Sequence, residues 1–124
     1  MVVLDTSTVI DYLDGDEATV EAVDRHLGGS GAAITFITEY ELLKYDGADA
    51  GRMGELISSM HIYHSSDRAA LAAAATYRDL RRRGKMINEN DILLFGICMA
   101  NGETLLTGDA DFERIGSNDI VVIR

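Results

Sequence analysis

Val2-Val3-Leu4-Asp5-Thr6-Ser7 sets a short apolar run, two of its members β-branched, directly before an aspartate and two hydroxyl residues. Such a run reads as a buried strand, and Thr6 and Ser7 can cap a short helix reaching about Leu13. The same transition recurs along the chain. Ala32 to Ile37 reads as a second strand, with a helix from Thr38 to about Tyr45 that stops near Gly47. His61 to Tyr63 reads as a third, followed by a long alanine-rich helix that Ser66 caps and Gly84 ends. Thr104 to Leu106 leads into a helical turn over Asp109 to Ile115, and Ile120 to Ile123 is a last strand. Further helices are predicted over Asp16 to Leu27, stopping at Gly28-Gly29, over Asp49 to Met60, and from the Asn88 cap to about Ala100. Strands alternating with helices predict one α/β domain over residues 1–124. It has three α/β/α layers, and its short, mostly parallel sheet is covered on both faces. Chemistry in such folds collects beyond the C-terminal ends of the strands.

Composition narrows the function classes. At 124 residues and 47% hydrophobic the chain can bury a core. Its longest apolar run, Ile92 to Ala100, is far short of a membrane span. The N-terminus lacks the basic segment of a signal peptide, and the single cysteine, Cys98, permits no intrachain disulfide and reads as a buried thiol. A cytoplasmic protein is expected. The formal net charge is −10, so a generally basic nucleic-acid-binding surface is excluded, and any affinity for RNA has to be local or metal-mediated. The acidity suits a basic protein partner or a high-salt cytoplasm, and equally plain solubility.

Asp5, Glu41, Asp91 and Asp109 each fall just after a predicted strand or in the first turn of a predicted helix, with Asp111 two residues beyond the last. Each has a structural explanation. Thr38 to Glu41 and Asn88 to Asp91 both have capping-box spacing. Asp109 can be an N-cap, and Asp5 can bond the amides of the next helix. A parallel sheet can nevertheless bring all of them to one edge. Carboxylates forced together repel, and some stay protonated near neutrality unless a cation neutralises them. Oxygen ligands without a nearby histidine or thiolate suit Mg²⁺ or Mn²⁺ rather than Zn²⁺.

Four segments, Val3-Leu4-Asp5-Thr6-Ser7, Ile37-Thr38 through Glu41-Leu42-Leu43, Asn88-Glu89-Asn90-Asp91-Ile92-Leu93 and Leu106-Thr107-Gly108-Asp109-Ala110-Asp111-Phe112-Glu113-Arg114-Ile115, together resemble the PIN-domain nucleases. They are most similar to the VapC-type toxins of toxin–antitoxin pairs, in order and spacing over nearly the whole chain. The resemblance implies a PIN-like fold and a ribonuclease dependent on Mg²⁺ or Mn²⁺. Asp5, Glu41 and Asp91 would be its core acids and Asp109 the fourth; Asp5, Asp91 and Asp109 would hold metal, and Glu41 would hold metal or orient the attacking water. Thr6 or Ser7 would be the polar residue after the first acid, Thr107 the hydroxyl near the last, and Asp111 a supporting acid. The Glu41 segment has its glycine, Gly47, later than is common in the family, which leaves Glu39 a minor rival for that role. Also implied are hydrolysis of an RNA phosphodiester, in tRNA or messenger RNA, to a 5′-phosphate and a 3′-hydroxyl, a homodimer, and an antitoxin partner. The alternatives are a PIN nuclease of RNA processing without an antitoxin, and a non-catalytic acidic module that binds a protein. A phospho-accepting receiver domain fits poorly, because Asp5 has no paired acid beside it and Lys85 follows a helix.

Arg78, Arg81, Arg82, Arg83 and Lys85 form the one basic cluster. Favourable charge at a helix C-terminus explains it, with Asp79 and Arg83 at ion-pair spacing. The functional alternative is a local RNA track through Arg78, Arg81, Arg82 and Lys85. His26, His61 and His64 have no metal-ligand spacing. The apolar residues of 92–99 cover their helix all round, which predicts a central, buried element.

Overall fold

The computed structural model describes residues 1–27 and 31–123. The stop expected at Gly28-Gly29 lies outside the described residues. The elements are β1 (Val2–Leu4), α1 (Thr6–Leu13), α2 (Glu17–Leu27), β2 (Ala32–Thr35), α3 (Phe36–Leu43), α4 (Ala50–Ser58), β3 (His61–Tyr63), α5 (Asp67–Arg83), α6 (Glu89–Ala100), β4 (Thr104–Thr107), a 3-10 turn (Ala110–Ile115) and β5 (Ile120–Val122).

The five strands lie in the order β3-β2-β1-β4-β5, and all four pairings are parallel. The chain starts in the middle of the sheet, builds outward through β2 and β3, then returns to the other side of β1 for β4 and β5. Strand order therefore reverses between β1 and β4. That reversal opens a crevice at their C-terminal ends, where ligands of open α/β sheets bind.

Alternation along the central strands divides the core into two. Val3, Ala33 and Leu105 face α5 and α6, packing with Ala73, Leu80, Ile92, Leu94, Cys98 and Phe112. Leu4, Ile34 and Leu106 face the other way, onto Val9, Val23, Leu42, Met53 and Ile57. Both faces are covered, so these strands are apolar at successive positions, as buried parallel strands are. The helix α6 is less enclosed than its composition predicts: Leu93 is exposed, while Ile92, Leu94, Phe95, Ile97 and Cys98 are buried. Among the described residues no helix is long and apolar enough to cross a membrane.

Two expectations about local structure are corrected. The second strand ends at Thr35, not Ile37, and α3 begins at Phe36. Its cap is Thr35, whose side chain accepts the Thr38 N–H at 3.2 Å. Thr38 is therefore inside the helix and Glu41 lies in its second turn, so the capping-box reading of Glu41 fails. The first helix starts at Thr6 with Asp5 in the cap position, yet the Asp5 side chain bonds no helix amide. The capping explanation for Asp5 fails with it.

Candidate active site

The crevice between β1 and β4 is where Asp5 sits. It is 4% exposed. Its carboxylate is held by hydroxyls instead of amides: Thr107 donates at 2.9 Å, Ser7 at 3.2 Å, and Thr8 through a short hydrogen bond. The two threonines are themselves fixed by the loop that follows β4. Thr107 Oγ1 accepts the Asp109 N–H at 2.9 Å, and Thr8 Oγ1 accepts the Gly108 N–H at 3.1 Å. Burial pushes the Asp5 carboxyl above its ordinary value; the hydroxyls of Thr8, Thr107 and Ser7 pull it partly back, and the charge on Asp109 adds to the rise.

The other acids arrive from separate elements. Glu41, on α3, is anchored by Thr6, whose hydroxyl donates to Oε1 at 2.6 Å, with Thr38 Oγ1 3.3 Å from the same hydroxyl. Asp109 caps the 3-10 turn, accepting the Asp111 N–H at 2.9 Å; the capping reading of Asp109 thus holds beside any other. Asp91 lies in the first turn of α6, whose cap Asn88 accepts the Asn90 N–H at 2.8 Å. Its carboxyl is pushed up to about 6, first by burial and then by the charges of Asp5, Asp109, Glu41 and Asp111. Four acids distant in sequence thus act on one carboxylate. Glu39 is not among them, which favours Glu41 over its rival.

Two arginines bind the parts of this edge together. Arg83, at the end of α5, pairs with Asp79 at 2.7 Å and donates to the Arg114 carbonyl at 2.9 Å. Arg114 donates to the Met86 carbonyl at 3.0 Å and pairs with Asp111 at 3.6 Å. The turn carrying Asp109 is so joined to the link from α5 to α6, which leads to Asp91. Arg78, Arg81, Arg82 and Lys85 are exposed around the end of α5, and among the described residues none of them bonds Asp5, Glu41, Asp91, Asp109 or Asp111, although Arg82 lies 3.8 Å from Asp79.

Thr8 is the residue that sequence reasoning missed. Three consecutive hydroxyl residues after Asp5 were the available signal, but helical spacing makes Thr8 look like an ordinary core-facing position. Thr8→Val keeps the shape and leaves a buried carboxylate and the Gly108 N–H each short of a partner. It is expected to cost about 2 kcal/mol of stability, read by urea unfolding, and Thr8→Ser is expected to retain most of it.

The donor set consists of carboxylate and hydroxyl oxygens, the chemistry of a hard divalent cation. Among the described residues no three His, Cys, Asp or Glu side chains form a ready-made ligand group. An ion here would be held by one or two carboxylates directly and by the rest through water, which is the usual habit of Mg²⁺.

No curated protein sequence matches the chain. Solved structures do share its fold. A chain of a toxin–antitoxin complex from Klebsiella pneumoniae superposes with a TM-score of 0.79 at 20% identity, covering 98% of this chain and 97% of that one. One from DNA-bound VapBC of Salmonella typhimurium gives 0.79 at 22%, covering 98% of each. One from VapBC-5 of Mycobacterium tuberculosis, a member of the VapBC family of toxin–antitoxin systems, gives 0.73 at 24%, covering 99% and 97%. The family model described as PIN domain matches residues 2–118. With that match spanning nearly all of the sequence and the three-layer fold in agreement, the chain belongs to the PIN domain family.

Proposed function

We propose that the protein is a divalent-metal-dependent endoribonuclease and the toxin of a toxin–antitoxin pair. The observation that carries the reading is the convergence of Asp5, Glu41, Asp91, Asp109 and Asp111 from four places in the sequence, with the Asp91 carboxyl raised to about 6. Acids crowded this way cost stability unless a cation belongs among them. Asp5, Asp91 and Asp109 would hold Mg²⁺ or Mn²⁺. When bound, the ion supplies Lewis-acid charge to a phosphate oxygen and acidifies a water for in-line attack.

The remaining roles belong to the chain. The Thr6 hydroxyl fixes one oxygen of Glu41, leaving the other to orient the attacking water. Thr107, Thr8 and Ser7 hold Asp5 in one rotamer, so its charge is fixed before substrate arrives. The toxin role and an antitoxin partner are supported by the fold shared with chains of toxin–antitoxin complexes, and by a net charge of −10 that suits a basic partner. A homodimer belongs to the same proposal.

The test is cleavage of a mixed tRNA and messenger RNA pool by the purified chain with Mg²⁺ or Mn²⁺, with chelator, and with Asp5→Asn. Cutting is expected only with metal, and Asp5→Asn should lower it at least about a hundredfold while the far-ultraviolet circular dichroism is kept. Cutting that survives chelator, or full activity in Asp5→Asn, would overturn the reading.

A further inference from the structure

Arg78, Arg81, Arg82, Arg83, Lys85 and Arg114 are six of the 11 lysines and arginines in a strongly acidic chain. Topology places them. The helix α6 feeds β4 from the C-terminal edge of the sheet, and α5 packs on α6 as the preceding arm of a helical hairpin, so the C-terminus of α5 lies at the edge that carries the acids. Arg83 and Arg114 confirm the adjacency by bonding across to the turn that Asp109 opens and to the α5–α6 link.

These cations are not equivalent. Arg83 and Arg114 spend their hydrogen bonds inside the molecule. Arg82 lies 3.8 Å from Asp79, which Arg83 already holds. The side chains of Arg81 and Lys85 are exposed and make no ion pair or hydrogen bond among the described residues, although the backbone of both is bonded at the helix end. The last-turn residues Arg81, Arg82 and Arg83 all place favourable charge at the end of the helix. What sets Arg81 and Lys85 apart is that their exposed side chains are held by no partner among the described residues, beside a site whose other groups repel polyanions.

We propose that Arg81 and Lys85 form a phosphate-binding strip that holds the RNA strand next to the acid cluster. The choice of RNA as occupant rests on the nuclease reading; the positive charge and its place beside the acids do not. A strand drawn toward a cluster of carboxylates needs compensating cations within a few nucleotides, because screening removes more distant attraction at physiological salt. The strip supplies two of them at the end of α5.

The experiment measures binding of a fluorescein-labelled single-stranded RNA by anisotropy across salt concentrations. It uses the full chain with Asp5→Asn to silence cutting, and parallel cleavage kinetics on the chain with Asp5 intact. Arg81→Glu/Lys85→Glu is compared with Arg25→Glu/Arg68→Glu, which changes net charge equally at the ends of α2 and α5 that lie at the opposite edge of the sheet. The strip variant is expected to bind at least about tenfold more weakly, with the slope of log K against log salt smaller by about 1.4 for two lost phosphate contacts. The KM for cleavage should rise by a similar factor, and the control pair should stay within about twofold of the parent. Equal losses in both pairs, or no loss in either, overturn the strip even where cleavage itself is intact. Displacement of the RNA by polyglutamate from the same two residues at equal charge would overturn it too and mark a site for an acidic protein. A chain that binds RNA through the strip but cuts nothing would leave the strip standing and remove the nuclease.

Discussion

Gly96→Leu is expected to leave little folded protein, and Gly96→Ala to lower stability by about 2 kcal/mol although alanine is the better helix former. A Cβ at this position would stand 2.6 Å from the Ala69 carbonyl oxygen, 2.8 Å from Ala73 Cβ and 3.0 Å from Ala73 N. Two of those three atoms are α5 backbone, which cannot rotate away. To admit even a methyl group the two helices have to part, and the hairpin they form is one whole layer of the molecule. Parting them loosens Ala69, Ala73 and Leu80, all buried. Alanine at a helical glycine ordinarily gains up to about 1 kcal/mol, so the sign of the alanine variant decides between propensity and packing. Thermal unfolding followed by circular dichroism reads it. An alanine variant as stable as the parent would mean that the helices stand further apart than described. Because Asp91 rides on α6, loss of RNA cleavage in the alanine variant should exceed what its loss of stability explains.

Gly96 also marks where a sequence stops being legible. Within Ile92 to Ala100 it looks like a small residue in an apolar helix, because close approach is a property of the pair α5 and α6, not of either alone. What could be read was local. Val2 to Leu4 and Leu105-Leu106 are apolar at successive positions, as strands covered on both faces are, and both lie in strands. Ser66 and Gly84 bound α5 as their chemistry requires, with the Ser66 side chain accepting the Ala69 N–H and Gly84 at φ 64. The boundary at Thr35 was misread because Phe36 and Ile37 extend an apolar run while Thr38 offers an equally good cap. The real cap is decided by which hydroxyl reaches an amide.

The candidate site divides the same way. Asp5, Glu41, Asp91 and Asp109 stand out as acids next to strand ends, and their ordered spacing carried the family likeness. Their convergence depends on strand order, which places β1 beside β4 despite some hundred residues between them, and no local pattern encodes that. The supporting hydroxyls were half legible: Thr107 and Thr6 came from the likeness, whereas Thr8 needed the fold, since its second partner is the Gly108 N–H from the far side of the crevice.

Asp91→Asn is expected to move stability and activity in opposite directions. In the metal-free protein the Asp91 carboxyl rises from 3.8 to about 6 because of burial and four neighbouring acids. A raised acid means that the folded state holds the proton more tightly than the unfolded chain. The contribution of this group is therefore fully present below pH 3.8 and is lost as pH rises through about 6. At pH 7.5 the ionised carboxylate opposes folding. The full shift corresponds to about 3 kcal/mol, and solvent screening of a half-buried group reduces that to about 1–2 kcal/mol. The N-terminus of α6 works the other way, favouring negative charge in its first turn by about 0.3–1 kcal/mol, so repulsion wins by a modest margin. With chelator at pH 7.5, Asp91→Asn should melt a few degrees above the parent, and the difference should shrink toward zero as pH falls below 3.8, where the parent carboxyl becomes protonated in both states. Added Mg²⁺ should raise the melting temperature of the parent more than that of the variant. Cleavage of RNA should fall at least about a hundredfold. A variant less stable than the parent at pH 7.5 without metal would show that the helix terminus outweighs the crowding and that Asp91 is, first of all, a structural acid.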